Sequence, residues 1–190
     1  MRFSLDPSSD CRVTSWWSRR CYLGMNRNNK RKVHMSAVDT VKSWRGTIAS
    51  PVRGNAIPLS EVPDPVFSGG ALGSGCGVRP TSECVVSPFS GTVTMTTPTD
   101  HAIGLTSDDG VELLVHVGID TVEMGGEGFA RLVEQGEHVA AGDPILSFTR
   151  SVMRDAGHDD VVIIVVPGRA DVKLAADGPV EIGSRLLRVG

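Results

Sequence analysis

The chain has 190 residues and a net charge of −3, so it lacks the basic excess expected of a general nucleic-acid binding protein. It contains 22 glycines and 11 prolines but only nine aromatic residues, and no apolar run is long enough to cross a membrane as a helix. This composition favours many short strands and turns, and we expect an all-β fold, an antiparallel β-sandwich or barrel-like domain with one or two short helical turns.

Residues 1–34 are unusually basic, with eight Arg and Lys residues against two Asp residues, a balance of +6. Because the whole chain is −3, the remaining 156 residues carry −9. The segment is too hydrophilic to fold alone and has no apolar stretch typical of a secretory signal. We therefore divide the chain into a disordered basic extension, 1–45, and a folded domain, 46–190. The extension is either a tail that lies on anionic lipid, helped by Trp16 and Trp17, or the result of a start assigned upstream of Met35, which we favour.

From about Thr47 the sequence is a succession of short apolar runs separated by turn residues. Two turn patterns occur twice. The first is Ser-Pro-x-x-Gly at Ser50–Gly54 and Ser87–Gly91, and the second is Val-x-x-Gly at Val139–Gly142 and Val180–Gly183. Two copies are too few for a solenoid and predict a domain whose halves use the same turns.

The segment Gly110–Val122 reads GVELLVHVGIDTV and predicts a strand that begins after a turn. Side chains alternate along a strand, so Leu113, Val115 and their neighbours at every second position form an apolar core face. His116 then lies on the opposite face, directed away from the core. Gly118 follows, where the missing side chain would let another molecule approach the backbone.

His101 lies upstream of the same turn, so a hairpin would bring the rings of His101 and His116 together. Strict alternation, however, places His101 on the same face as Ile103 and Leu105, which look buried. Two interpretations remain open at this point. Either the strand bends near Ala102, or His101 is a hydrogen-bonded core histidine.

The remainder of the chain predicts one helical turn at Glu127–Gln135, a polar loop at Arg150–Asp160 and a buried strand at Val161–Val166. Four cysteines have no paired spacing typical of a disulfide or zinc site, which favours thiols in a reducing, cytoplasmic location. They are Cys11, Cys21, Cys76 and Cys84.

The segment Gly110–Val122 resembles the phosphorylation-site signature of glucose-class enzyme IIA, a component of the bacterial phosphoenolpyruvate-dependent sugar phosphotransferase system. The resemblance extends over about residues 47–189 and leaves 1–45 uncovered. It includes four further segments: Val62–Phe67, Ser87–Gly91, Gly126–Phe129 and Gly136–Pro144.

The resemblance implies that His116 accepts a phosphoryl group from the histidine-containing phosphocarrier protein. It implies that His116 then passes the group to a cysteine of a IIB domain, which supports coupled sugar uptake and phosphorylation. His101 matches the second active-site histidine, which stabilises the phosphoryl group, and Thr99 matches the threonine that orients it. The backbone of Gly118 is implied to orient His116. No cofactor is implied, and the membrane is reached only through the partner.

The resemblance also implies a partner-binding rim formed by Asp64, Val66, Phe67 and Asp120. Leu114 is in phase with His116, so it either joins this apolar patch or is buried under a loop. Transporters or metabolic enzymes regulated by the phosphorylation state are further implied partners.

Two other readings compete with this one. A zinc peptidase would use His116 and Asp120 as a ligand pair, but the His-x-His triplet that such enzymes need is missing. No intrinsic metal site is expected, although the resemblance allows a zinc ion shared by His101, His116 and a partner's carboxylate.

A pure binding protein is the other class of function. A biotin or lipoyl carrier is set aside because no lysine occupies a matching hairpin tip.

Overall fold

The computed structural model describes residues 46–190, and the two explanations of the basic segment 1–45 lie outside the described residues. Within this part of the chain there are two short helices, α1 (Pro65–Ser68) and α2 (Arg150–Asp155), and two 3-10 turns, Leu59–Glu61 and Thr121–Met124. The strands are β1 (Thr47–Ala49), β2 (Gly54–Pro58), β3 (Gly73–Pro80), β4 (Cys84–Val86), β5 (Gly91–Thr96), β6 (Ala102–Ser107), β7 (Glu112–Val117), β8 (Phe129–Arg131), β9 (His138–Val139), β10 (Pro144–Phe148), β11 (Val162–Pro167), β12 (Val172–Leu174), β13 (Gly178–Val180) and β14 (Arg185–Val189).

All strand pairings of the described region are antiparallel. The large sheet has the order β13-β2-β3-β11-β7-β6-β5-β9, and two three-stranded sheets have the orders β1-β14-β12 and β4-β10-β8. Apolar residues of all three sheets meet in one core, including Ile48 and Leu187, Val85 and Leu146, and Ile164. The predicted all-β antiparallel sandwich is confirmed.

Strand β11 lies between β3 and β7 and is apolar on both faces, as predicted for Val161–Val166. Ile164 and its neighbours at every second position face the main core. Ile163 and Val165 face a smaller cluster on the other side of the sheet, together with Ile57 and Phe67. The sheet is therefore covered on its second face at this place, and that cover lies beside the candidate site.

The repeated turns are structurally equivalent. Ser50 and Ser87 are both fully buried, and each hydroxyl donates to the carbonyl two residues further on, at 2.7 and 2.6 Å. The carbonyl of Ser50 accepts from Gly183 N at 3.0 Å, and that of Ser87 accepts from Gly142 N at 2.7 Å. Each Ser-Pro turn thus docks on one Val-x-x-Gly turn, which confirms that the two halves use the same turns.

Two local predictions were wrong. Glu127–Gln135 contains strand β8 rather than a helical turn, because Phe129–Arg131 pairs with β10 and tertiary pairing outweighs local propensity in so short a segment. Arg150–Asp160 is not all loop, because its first half forms α2. The anchor of α2 is Met153, a single fully buried residue that the polar average of the segment concealed.

No helix among residues 46–190 is both long and apolar enough to span a membrane.

Candidate functional site

His116 occupies the face of β7 that points away from the main core. Its register partners are Ala102 on β6 and Ile163 on β11. The alternate residues Leu113 and Val115 are buried in the core, as the alternation predicted. The imidazole packs against Phe67, with 5.1 Å between the ring centroids. A strand bonded on both sides therefore holds this histidine rigidly over a small apolar cluster.

His101 lies immediately before β6, and its ring is perpendicular to that of His116 with 4.9 Å between the centroids. The predicted convergence of the two rings is confirmed. Asp100 has a positive φ of 56°, so the chain reverses before β6 and His101 escapes the alternation of the strand. His101 is also buried, at 8% exposure, and hydrogen-bonded, so it has features of both interpretations.

Two threonines surround the Nδ1 atom of His101. The Oγ1 atom of Thr99 lies 2.6 Å from it, and that of Thr97 lies 3.4 Å from it. The hydroxyl of Thr97 also accepts from the backbone N–H of Ala102 at 3.2 Å. A hydroxyl that donates to Nδ1 leaves the ring proton on Nε2, where it can be donated to another molecule. Thr97 was not predicted from the sequence.

Gly118 is required by its own chain, and the expected approach of another molecule to its backbone stays a prediction. Its φ is +80°, and a Cβ atom there would lie 2.3 Å from Cγ2 of Thr121 and 2.5 Å from Cε of Met153. Its N–H donates to the carbonyl of Val161 at 2.8 Å. The turn after β7 is thus packed tightly against α2.

The environment of His116 favours a neutral imidazole. Burial, followed by the charge that His101 would carry, lowers the pKa of His116 to about 4. The backbone of Gly118 and the carboxylates of Asp64 and Asp120 oppose this shift in pKa. The Nδ1 atom is buried without a partner in hydrogen-bond geometry, so Gly118 is near without forming the predicted bond. Nε2 is left as the nitrogen available to another molecule.

The pKa of His101 is also lowered, mainly by burial, whereas the neighbouring carboxylate of Asp100 raises it. Both rings are therefore neutral near pH 7, and each can present one N–H and one lone pair. A neutral histidine with a free nitrogen is a nucleophile, and a second neutral histidine beside it is a hydrogen-bond donor.

The predicted rim residues lie on the same side of the molecule but differ in exposure. Val66 is 50% exposed, whereas Phe67 is buried under His116 and supports its ring. Asp64 caps α1, accepting from the N–H groups of Val66 and Phe67 at 2.7 and 3.2 Å. Leu114 is partly buried against the smaller cluster, and Asp120 is exposed. Their roles in binding a partner stay predictions.

Sequence reasoning missed two residues of this neighbourhood besides Thr97. Val122 is 57% exposed in the turn that follows Asp120, although nothing in its sequence context distinguishes it. Arg131 donates from Nε to Asp100 at 2.9 Å. The helical turn predicted at 127–135 concealed this contact, because a residue of an isolated turn has no expected neighbour in a distant segment.

A self-contained metal site does not fit these residues. Within the described part of the chain, no group of three or more His, Cys, Asp or Glu residues converges. Among the described residues, His101 and His116 are too few ligands for a closed site, and His101 already has Thr99 at its Nδ1 atom. The zinc peptidase reading therefore lacks its ligands, and a shared zinc ion would need the partner's side chain.

Comparisons with known proteins identify the family and the fold. The model of the family described as "phosphoenolpyruvate-dependent sugar phosphotransferase system, EIIA 1" matches residues 46–172. The glucose permease IIA from Mycoplasma capricolum has a similar solved structure, with a TM-score of 0.67 and 33% identity over 74% of this chain and 93% of that one.

Two curated relatives are longer proteins. The PTS system glucoside-specific EIICBA component of Staphylococcus carnosus is 39% identical over 157 residues, which cover 82% of this chain and 23% of the relative. The PTS system mannose-specific EIIBCA component of Corynebacterium glutamicum is 47% identical over 123 residues, which cover 65% of this chain and 18% of the relative. The chain spans about a fifth of the length of these relatives.

Proposed function

The chain belongs to the EIIA 1 family of the phosphoenolpyruvate-dependent sugar phosphotransferase system, and from this membership we propose that it is a phosphocarrier that accepts a phosphoryl group on His116. The donor is the histidine-containing phosphocarrier protein, and the acceptor is a cysteine of a IIB domain. Residues 46–190 are the phosphocarrier domain. The reaction takes place in the cytoplasm, and the chain meets the membrane only through its partner.

The observation that carries this proposal is the pair of histidine rings, with 4.9 Å between their centroids and 76° between their planes, and with Thr99 at the Nδ1 atom of His101. Phosphoryl transfer asks for in-line positioning and for stabilisation of the charge on the transferred oxygens. His116 lies on β7, which is hydrogen-bonded to a neighbouring strand on each side, and this holds its ring in position for the transfer. His101 supplies the stabilising donor.

In the first step the Nε2 lone pair of His116 forms a bond to phosphorus as the P–N bond to the donor histidine breaks. The proton of His116 stays on Nδ1, and the donor imidazole leaves with the electron pair of the broken bond. The carbonyl of Gly118 accepts from that Nδ1–H when the site tightens, since catalytic hydrogen bonds are often long in the free protein. In the second step the cysteine thiolate attacks phosphorus and the new P–N bond breaks.

His101 acts in both steps through its Nε2–H, which donates to a phosphoryl oxygen while Thr99 donates to its Nδ1. In this assignment Thr99 is the donor to Nδ1, with its Oγ1 atom 2.6 Å away. A hydrogen-bond donor of this kind lowers the barrier by on the order of 3 kcal/mol, which is about a hundredfold or more in rate.

The same face serves donor and acceptor in turn, so it must be open and bind weakly. The exposed side chains of Val66 and Val122, beside the carboxylates of Asp64 and Asp120, support an apolar centre with an acidic border. Leu114 and Phe67 underlie this patch. A phosphoryl dianion on His116 would repel acidic partners, so regulated transporters or metabolic enzymes could bind one phosphorylation state only.

The test is phosphorylation from labelled phosphoenolpyruvate in the presence of the general phosphotransfer proteins, followed by discharge to a IIB domain. We expect His116→Gln to take no label, and His101→Gln to retain some acceptance but to pass the label on at least a hundredfold more slowly. His138→Gln is the matched control, because His138 is an exposed histidine bonded to Asp108 at 3.0 Å, and it should do both steps normally. Label on His116→Gln, or equal loss in both site variants, would contradict these roles.

A further inference from the structure

The turn before β6 determines where His101 points. Asp100 has the left-handed conformation, with a φ of 56°, which non-glycine residues rarely adopt and which aspartate tolerates best with asparagine. Without this reversal the ring of His101 would follow the strand alternation toward the core face of Ile103. The position of the second histidine therefore depends on the conformation of one residue.

Arg131 holds that residue from another sheet. It lies at the end of β8, 31 positions along the chain, and its Nε donates to Oδ1 of Asp100 at 2.9 Å. Its Nη1 donates to the carbonyl of Val133 at 3.0 Å and to the carboxylate of Glu134 at 2.6 Å. The guanidinium is thus oriented by three acceptors, and the side chains of the Asp100–Arg131 pair are only 20% and 24% exposed.

We propose that Arg131 is a positioning residue for phosphoryl transfer, which fixes the reversed turn at Asp100 and thereby keeps the ring of His101 beside that of His116. This inference rests on the proposed function, since it assigns Arg131 a part in the same reaction. The guanidinium of Arg131 donates hydrogen bonds to Asp100, Val133 and Glu134, so it acts on the histidines through Asp100. His116 is placed independently by β7, so Arg131 affects the hydrogen-bond donor His101 and not the nucleophile His116.

The experiment measures single-turnover discharge of the phosphorylated chain to a IIB domain. We expect Arg131→Met to lower the rate at saturating IIB roughly tenfold to a hundredfold, with the half-saturating IIB concentration unchanged, and Arg131→Lys to recover part of the loss. Asp100→Asn keeps the left-handed tendency and an acceptor oxygen for Arg131 but removes the negative charge of the ion pair, and should lower the rate less than Arg131→Met. The double variant should be no slower than Arg131→Met alone, because the two residues act as one unit.

Arg169→Met is the control, since Arg169 forms an ion pair with Asp171 at 2.6 Å in a different part of the surface, and this variant should discharge at the normal rate. Circular dichroism and urea unfolding of every variant identify any that does not fold, and Arg131→Lys keeps the test valid if Arg131→Met does not. Additive losses in the double variant would overturn the proposal, because they would show that Arg131 only stabilises β8.

A second readout needs no phosphate. Proton NMR of the unphosphorylated chain should show a nuclear Overhauser contact between the rings of His101 and His116, which weakens in Arg131→Met and returns in Arg131→Lys. An unchanged contact in Arg131→Met would overturn the proposal. A wild-type chain that takes no label would instead refute the proposed function, while the ring contact would still report whether Arg131 positions His101.

Discussion

The two histidines of the site are neutral for the same reason, since each is largely shielded from water by its neighbours. For His116 burial outweighs the two nearby carboxylates, Asp64 and Asp120, and holds its pKa at about 4. A nucleophile of this kind is available at neutral pH without any base to remove a proton. Because the neutral ring carries no charge, any charge complementarity to a partner must come from the nearby carboxylates.

The first prediction at this scale concerns pH. The pKa of His116 is lower in the folded chain, about 4, than the ordinary value of 6.5, so the unfolded chain takes up the proton first as the pH falls. The stabilising contribution of the neutral ring is therefore complete above pH 6.5 and is lost as the pH falls toward 4. Phosphoryl acceptance should likewise be insensitive to the titration of His116 between about pH 6 and 8.

Urea unfolding of the wild type and of His116→Gln at pH 7 and pH 5 checks this expectation. The free energy of unfolding should fall less for the variant over this interval, because one titrating ring has been removed. His101, whose pKa is lowered too, leaves a smaller dependence in the variant. Equal pH dependence of the two proteins would contradict the assigned pKa of His116.

At the scale of elements, the site is assembled from strand ends and the turns that follow them. The turn after β7 places Gly118 against Met153 of α2, and the turn before β6 presents His101. Neither the helix α2 nor the strand β8 was recognised from local sequence. Helix α2 is anchored by one buried residue, Met153, and strand β8 by its three-residue pairing with β10.

The second prediction compares two glycines with nearly the same positive φ. Gly118 and Gly110 have φ values of +80° and +84°, but a Cβ atom at Gly110 would meet nothing within 4 Å. Gly110→Ala should cost about 1 kcal/mol for the left-handed conformation alone. Gly118→Ala should cost about 2 to 4 kcal/mol, because overpacking against Thr121 and Met153 is added.

Chemical denaturation of both variants gives the two free energies of unfolding. Their difference isolates the packing at Gly118, since the backbone strain is common to both. Equal losses would show that the turn after β7 relaxes easily, and it would then be a poor support for His116.

At the scale of the whole molecule, β11 separates two apolar clusters of different purpose. Ile164 belongs to the main core, where all three sheets meet. Ile163, the next residue, belongs to the smaller cluster, which includes Phe67 and lies beneath His116. Ile163 is also the register partner of His116. Both side chains are fully buried. Both faces of β11 thus contribute to stability, but only the face of Ile163 supports the site.

The third prediction uses these neighbours as a matched pair. Ile163→Ala and Ile164→Ala should each lower the free energy of unfolding by about 2 to 5 kcal/mol, because each leaves a cavity in a packed region. At a temperature where both variants remain folded, only Ile163→Ala should slow phosphoryl acceptance. Urea unfolding and the labelling rate measure the two effects, and equal slowing by both variants would contradict the division of the two faces.

The sequence by itself determined the elements whose pattern is dense and local. The alternation around His116, the apolar run of β11 and the repeated Ser-Pro turns each contain their own signal, and each was predicted correctly. Gly118 was noticed, but its local sequence could not reveal the packing that requires a glycine there, because the atoms that crowd it belong to α2 and to Thr121.

Only the tertiary structure decided where the ring of His101 points and what holds it there. Alternation left two interpretations of this residue, and the choice depended on the left-handed conformation of Asp100 and on its ion pair with Arg131. That pair joins the turn before β6 to the end of β8, 31 positions along the chain and in a different sheet from β6. A periodic pattern reports which face a residue takes within its own strand, whereas a contact between two turns depends on how the sheets pack, which no local pattern contains.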